Sequence, residues 1–207
     1  MRSSSSFAIA ALVSVASASA LIAQAPPPAT EAGGANLASV LVPAKSGAKL
    51  TVSTPAFANG ADIPMDNTQY KGNVFPGLQW SGGPSGTKSY AIIMQDGDGA
   101  RAGQPFLHWT MVNIPPTVTK LDAAMAAPPA GTMYGPNYEG ANQPYLGPRT
   151  PAGPKHRYHL QVFALDIMLT PEALASITTI TDAMKDHVLA SGEVIGLGSA
   201  PAPGAGK

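Results

Sequence analysis

The sequence predicts a mainly β domain with a few short peripheral helices. Three observations lead there. Residues 89–95 (SYAIIMQ), 107–114 (LHWTMVNI) and 157–166 (RYHLQVFALD) are strand-length runs of apolar, β-branched and aromatic residues. The 22 glycines and 21 prolines fall largely between such runs, as turn-rich connections require. Helical signals are confined to two stretches near the end of the chain.

The elements follow in order. Arg2, the apolar residues 7–15 and the A-x-A site Ala18-Ser19-Ala20 predict a cleaved signal peptide over residues 1–20. The apolar run is shorter than the ~20 residues that span a bilayer, so no stable membrane insertion is expected after cleavage. The mature protein is expected to be exported, either periplasmic or secreted. Residues 21–37 are rich in Pro, Ala and Gly and read as an extended or disordered linker. Residues 38–197 form the folded domain, and 198–207 (GSAPAPGAGK) read as a disordered tail.

Within the domain, residues 89–95 make a buried strand, and Asp96 and Asp98 lie just past its end in the turn-like QDGDGA. His108 opens the next strand, which Pro115-Pro116 stops. His156 opens a third strand after the loop GPRTPAGPK. Side chains alternate along a strand, so His156, Tyr158, Leu160 and Val162 share one face and His159 takes the other. The spacing His156-x-x-His159 therefore does not chelate a metal. Thr170 caps a first helix, with Pro171 at its first position and Glu172 in its first turn. A second helix is expected from about Asp182 to Ser191, stopped by Gly192, with Ile180, Met184, His187 and Val188 on one face.

Composition excludes several function classes. The net charge is zero, only 12% of residues are charged, and no basic run exists, so nucleic acid is not an expected partner. Cysteine is absent, which removes disulfides, thiol nucleophiles and Cys-ligated metals. No cofactor, metal or catalytic residue is indicated. Pattern alone leaves Asp96 and Asp98 open to a plain turn reading, and His108 and His156 open to a structural one.

Three blocks carry a resemblance. Residues 70–100 (YKGNVFPGLQWSGGPSGTKSYAIIMQDGDGA) are similar to a segment ending in D-P-D-A-P. Residues 106–115 (FLHWTMVNIP) resemble H-W-x-x-x-N-I-P. Residues 145–166 (YLGPRTPAGPKHRYHLQVFALD) match Y-x-G-P-x-P-P-x-G…H-R-Y. Together these resemble the phosphatidylethanolamine-binding protein family, in its bacterial Raf-kinase-inhibitor-like branch. The resemblance implies a β-sandwich with a small pocket for phosphate-like anions or phospholipid head groups. It implies Asp96, Asp98, His108, Pro148, His156 and Tyr158 as ligand-binding residues. Two departures stand out: D-P-D-A-P is here D-G-D-G-A, and the family's second proline pair is here Thr150-Pro151.

In such a pocket a carboxylate bonded to one imidazole nitrogen raises the histidine's pKa and frees the other nitrogen for a phosphate oxygen. If protonated imidazoles hold the anion, binding is expected to tighten as pH falls through the histidine pKa, ~6.5 unless perturbed. Two other readings stay open: a protein-interaction regulator resembling a kinase or protease inhibitor and acting through its loops, and a hydrolase using the same His/Asp pairs.

Overall fold

The computed structural model describes residues 24–202, so the expected signal peptide over 1–20 lies outside them. The elements in chain order are α1 (Ala38–Leu41), β1 (Val52–Ser53), β2 (Leu78–Trp80), β3 (Ser89–Arg101), β4 (Gln104–Ile114), β5 (Lys120–Leu121), β6 (Met133–Tyr134), β7 (His156–Leu165), α2 (Ile177–Met184) and β8 (Val188–Gly198). Five antiparallel strands form the main sheet in the order β6-β4-β3-β7-β8, and β1-β2-β5 form a small second sheet. The mainly β fold class and the two-sheet sandwich are as the sequence and the resemblance implied.

Period-two alternation builds the two faces of the main sheet. Tyr90, Ile92 and Met94 of β3 share one face with Leu160 and Val162 of β7, and pack against Leu78, Trp80 and Leu121 of the small sheet. Ala91, Ile93, Phe163 and Leu165 take the other face and pack against Ala38 of α1 and Ile180 and Met184 of α2. Near the N-terminus of α1 two buried glutamines substitute for a local cap. Gln95 Oε1 accepts from the Ala38 amide at 2.9 Å, and Gln161 Oε1 from the Ser39 amide at 2.7 Å.

Three expectations are corrected. First, the DGDG stretch is not a turn after the strand. β3 continues through it to Arg101, and the tight turn lies at Ala102-Gly103, both at positive φ (50° and 76°). Second, Pro171–Ala175 winds as a short 3-10 helix rather than an α-helix. Third, the second helix ends at Met184, and residues 188–198 are strand. Gly192 is no helix stop. It pairs with Val162, and a Cβ there would collide with the Leu50 carbonyl. His187 sits outside the helix, with Nδ1 2.7 Å from Asp166 Oδ1.

Helix α2 starts at a capping box. Ser176 Oγ accepts from the Thr179 amide at 3.1 Å, and the Thr179 hydroxyl accepts from the Ser176 amide at 2.9 Å. Ser176→Ala should lower stability by about 1 kcal/mol, a fall of about 2–4 °C in Tm. Thermal denaturation checks this, and an unchanged midpoint would mean that packing of Ile180 and Met184 alone holds the helix.

Candidate functional site

The ends of β3, β4 and β7 surround a cleft of about 380 Å³. Asp96 stands opposite Phe106 of β4 and Tyr158 of β7. That register puts His156, two residues before Tyr158 on the same face, diagonally beside Asp96. His156 Nδ1 lies 2.8 Å from Asp96 Oδ2. The hydrogen bond to Asp96 raises the His156 pKa, and it outweighs the lowering from burial. The other carboxylate oxygen is also engaged: Asp96 Oδ1 accepts from the amides of Asp98 at 3.0 Å and Gly99 at 2.8 Å. The Asp96 charge is thus bonded on both oxygens before any ligand arrives.

His108 behaves differently from His156. It is buried, with 3% of its surface exposed. Burial lowers its pKa, against the smaller raising effects of Asp96 and the backbone. Its Nδ1 lies 3.1 Å from the Leu146 carbonyl and donates to it, because a carbonyl can only accept. Burial thus favours the neutral imidazole, with its proton on Nδ1 and the lone pair on Nε2. The two histidines of the cleft thus shift in opposite directions, and the reason is desolvation of His108.

Tyr158 is 1% exposed, and its ring packs edge-on to His108 at 5.1 Å. Burial first, and then the Asp96 charge, push its hydroxyl far above the ordinary phenol range. The hydroxyl shares a 2.9 Å hydrogen bond with buried Thr150. Thr150, which departs from the family pattern, thus orients a residue of the site. A Cβ at Gly198 would overlap the Tyr158 ring, so the end of β8 must be glycine to let that ring in.

Two residues named from the sequence do not line the cleft. Between Asp96 and Arg101 the register with β4 is irregular, and the chain wraps around the Asp96 carboxylate. That bulge turns Asp98 away, onto Arg157. Asp98 Oδ2 accepts from the Arg157 amide and Nε, both at 2.8 Å, and Oδ1 accepts from Nη2 at 2.6 Å. Its side chain is 1% exposed. Pro148 contributes its carbonyl to the Gln69 amide at 2.9 Å, while its neighbours Arg149 and Pro151 line the cleft.

Sequence reasoning missed the rim. Arg101 lies over the Phe106 ring, 5.4 Å from its centre. Phe106, His108 and Tyr138 form one aromatic wall, with Phe106 and Tyr138 at 4.5 Å. Arg149 completes the lining. Among the described residues neither Arg101 nor Arg149 forms a salt bridge. Arg149 lay inside the quoted GPRTPAGPK block, so its position in the loop before His156 was an available signal. A separate cavity of about 250 Å³ beside Phe75, Trp109 and Tyr145 gathers no charged side chain.

The family model of phosphatidylethanolamine-binding proteins matches residues 53–199, well over half of the chain. The chain belongs to the phosphatidylethanolamine-binding protein family. A relative in Methanothermobacter thermautotrophicus, a UPF0098 protein, is 36% identical over 152 residues, covering 72% of this chain and 97% of its own. LppC of Mycobacterium tuberculosis, named as a lipoprotein, is 35% identical over 128 residues, or 61% of each chain. Among solved structures, the phosphatidylethanolamine-binding protein homolog CT736 of Chlamydia trachomatis superposes with a TM-score of 0.66 at 27% identity. It covers 74% of this chain and 99% of its own. Escherichia coli YbcL gives 0.65 at 28% identity, covering 74% of this chain and all of its own. The family match contains Asp96, His108, His156 and Tyr158, whereas the segment before β1 precedes it. Among the described residues no helix is long and apolar enough to cross a membrane.

Proposed function

We propose that this phosphatidylethanolamine-binding protein family member is an exported binding module, periplasmic or secreted, whose cleft takes a phosphate-type anion. The anion is free phosphate or the phosphate of a phospholipid head group. One observation carries the reading. Arg101, Arg149 and the Asp96-linked His156 converge on a cleft whose carboxylate is already bonded on both oxygens. An anion there meets unpaired donors rather than a repelling charge. His156 Nε2 and the arginines donate, and neutral His108 Nε2 accepts from a protonated phosphate oxygen or a head-group N–H. The N-terminal signal-like sequence and the relative named as a lipoprotein support export.

The sign of the pH dependence follows from His156. Its raised pKa keeps it cationic through and above the ordinary ~6.5, so anion affinity falls as pH rises through that raised value. Calorimetric titration with inorganic phosphate, phosphoethanolamine and sulfate tests this, sulfate being the probe whose own charge stays constant. Arg101→Gln and Arg149→Gln should each weaken binding about tenfold, the scale of a lost charge-assisted hydrogen bond. Tighter binding of phosphoethanolamine than of phosphate would identify a head-group site, and the reverse a free-anion site. Equal affinity of wild type and both variants for every probe would place the ligand elsewhere.

A further inference from the structure

The β3–β4 hairpin supplies Asp96, Arg101, Phe106 and His108 to the cleft, and a segment outside the family match grips it from behind. The Gly33 amide donates to the Gly97 carbonyl at 2.8 Å, and Asn36 Nδ2 donates to the Gly103 carbonyl at the hairpin tip at 2.9 Å. A Cβ on Gly33 would lie 2.9 Å from Pro105 Cα, so the two backbones are in direct contact. A Cβ on Gly97 would overlap the Glu31 carboxylate, so Glu31 fills the space beside the peptide that joins the two aspartates. Pro28 is tied in through its carbonyl, which accepts from Arg157 Nη2 at 2.9 Å.

Glu31 is itself fixed by charge. Its Oε1 lies 2.6 Å from His159 Nε2 and 3.4 Å from Arg157 Nε. His159 Nδ1 lies 2.9 Å from Glu193 Oε2 of β8. The imidazole thus faces a carboxylate on each nitrogen, with the Arg157–Asp98 pair alongside. A neutral imidazole has one N–H and can serve only one of the two carboxylates, whereas the cation serves both.

We propose that residues 28–36 are a strap that holds the pocket hairpin in its binding geometry, with Glu31 as the positioning residue and the His159 cation as its latch. Among the described residues, the strap makes no hydrogen bond or salt bridge to a cleft-lining side chain. It acts through Gly97, whose neighbours Asp96 and Asp98 fix His156 and Arg157. Burial opposes charge on His159, but its bonds to Glu193 and Glu31 win and raise its pKa. The latch is therefore closed below that raised value and opens as pH rises through it. The proposal deepens the anion-site reading, but its first readout needs no ligand.

Amide hydrogen exchange of the ligand-free protein, corrected for intrinsic pH dependence, provides that readout. Glu31→Ala should speed exchange at residues 98–103 about tenfold, while amides of α2 keep their protection. Gly97→Ala should do the same by expelling Glu31, and should add little in the Glu31→Ala background, where the collision is gone. Wild-type hairpin protection should fall as pH rises, and Glu31→Gln, which keeps the acceptor but loses the charge, should flatten that dependence. Any slope remaining in Glu31→Ala belongs to the Asp96–His156 pair. Inorganic phosphate should bind Glu31→Ala several-fold more weakly than wild type. Unchanged hairpin exchange in Glu31→Ala, or additive effects of the two substitutions, would overturn the strap. Failure of wild type to bind phosphate would overturn the pocket reading and leave the exchange result to judge the strap alone.

Discussion

Gly192→Ala is expected to destabilise the domain by about 3 kcal/mol, with a fall of roughly 6–12 °C in Tm. Gly192 pairs with Val162 in the centre of the β7–β8 ladder. A Cβ there would fall deep inside the contact radius of the Leu50 carbonyl oxygen and 2.9 Å from the Leu50 carbonyl carbon. These are backbone atoms, so no side chain can swing aside. To make room the Leu50 segment must retreat, which stretches the hydrogen bond from the Leu50 amide to the Ser191 carbonyl, now 2.9 Å. Leu50 is 5% exposed and belongs to the sandwich core, so the retreat also loosens packing. Had Gly192 ended a helix, alanine would cost only about 1 kcal/mol. Thermal and denaturant unfolding of the variant separates the two cases. A loss near 1 kcal/mol or below would contradict the close approach of β8 to the Leu50 segment.

Asp96→Asn is expected to leave the fold intact and weaken phosphate binding by about ten- to a hundredfold near neutral pH. The asparagine oxygen can still accept from the Asp98 and Gly99 amides, so the wrap of the chain survives. Its amide nitrogen, however, donates where the carboxylate accepted. The His156 Nδ1 proton is displaced and the imidazole becomes neutral. One charge-assisted donor to the anion is lost while its shape stays the same. Stability should shift as well. The folded-state pKa of His156 is raised, so its contribution is complete below the unfolded value of ~6.5 and is lost as pH rises through the raised value. Asp96→Asn should remove that loss and flatten the stability profile on the alkaline side. NMR titration of the His156 ring, alongside calorimetry with inorganic phosphate, measures both effects. An unchanged ring pKa in the variant would refute the Asp96–His156 coupling.

These outcomes bear on how the site could be read at all. Period-two alternation put His156 and Tyr158 on one face and His159 on the other, and the structure has them so: His156 on Asp96, His159 on Glu31 and Glu193. The resemblance grouped Asp98 with Asp96 in the pocket, but a bulge intervenes and turns Asp98 onto Arg157. A bulge is a defect in pairing between strands, so no window of β3 alone reveals it. The rim as a unit was hidden for a related reason, although Arg149 lay in a loop the sequence had singled out. Arg101 and Arg149 come together only when the hairpin and the loop before β7 meet. Gln24 to Asn36 reads as linker by composition, yet Glu31, Gly33 and Asn36 are bonded to the hairpin and to β7. Those bonds are single polar contacts from isolated residues, and composition averages them away.

What the chain encodes locally is therefore the three long strands β3, β4 and β7 and the faces of β7. Each depends on neighbours within a few residues, where backbone sterics and alternation act. Whether residues 188–198 are helix or strand was beyond local reach. VLASGEVIGLG has no decisive period, and pairing with β7 together with the close approaches at Gly192, Gly196 and Gly198 decides it. The opposite pKa shifts of the two histidines arise in the same way. Identical side chains diverge because one is buried against the Leu146 carbonyl and the other meets a carboxylate. Burial and partner identity exist only once distant strands are assembled, and they set the pKa that chemistry at this site depends on.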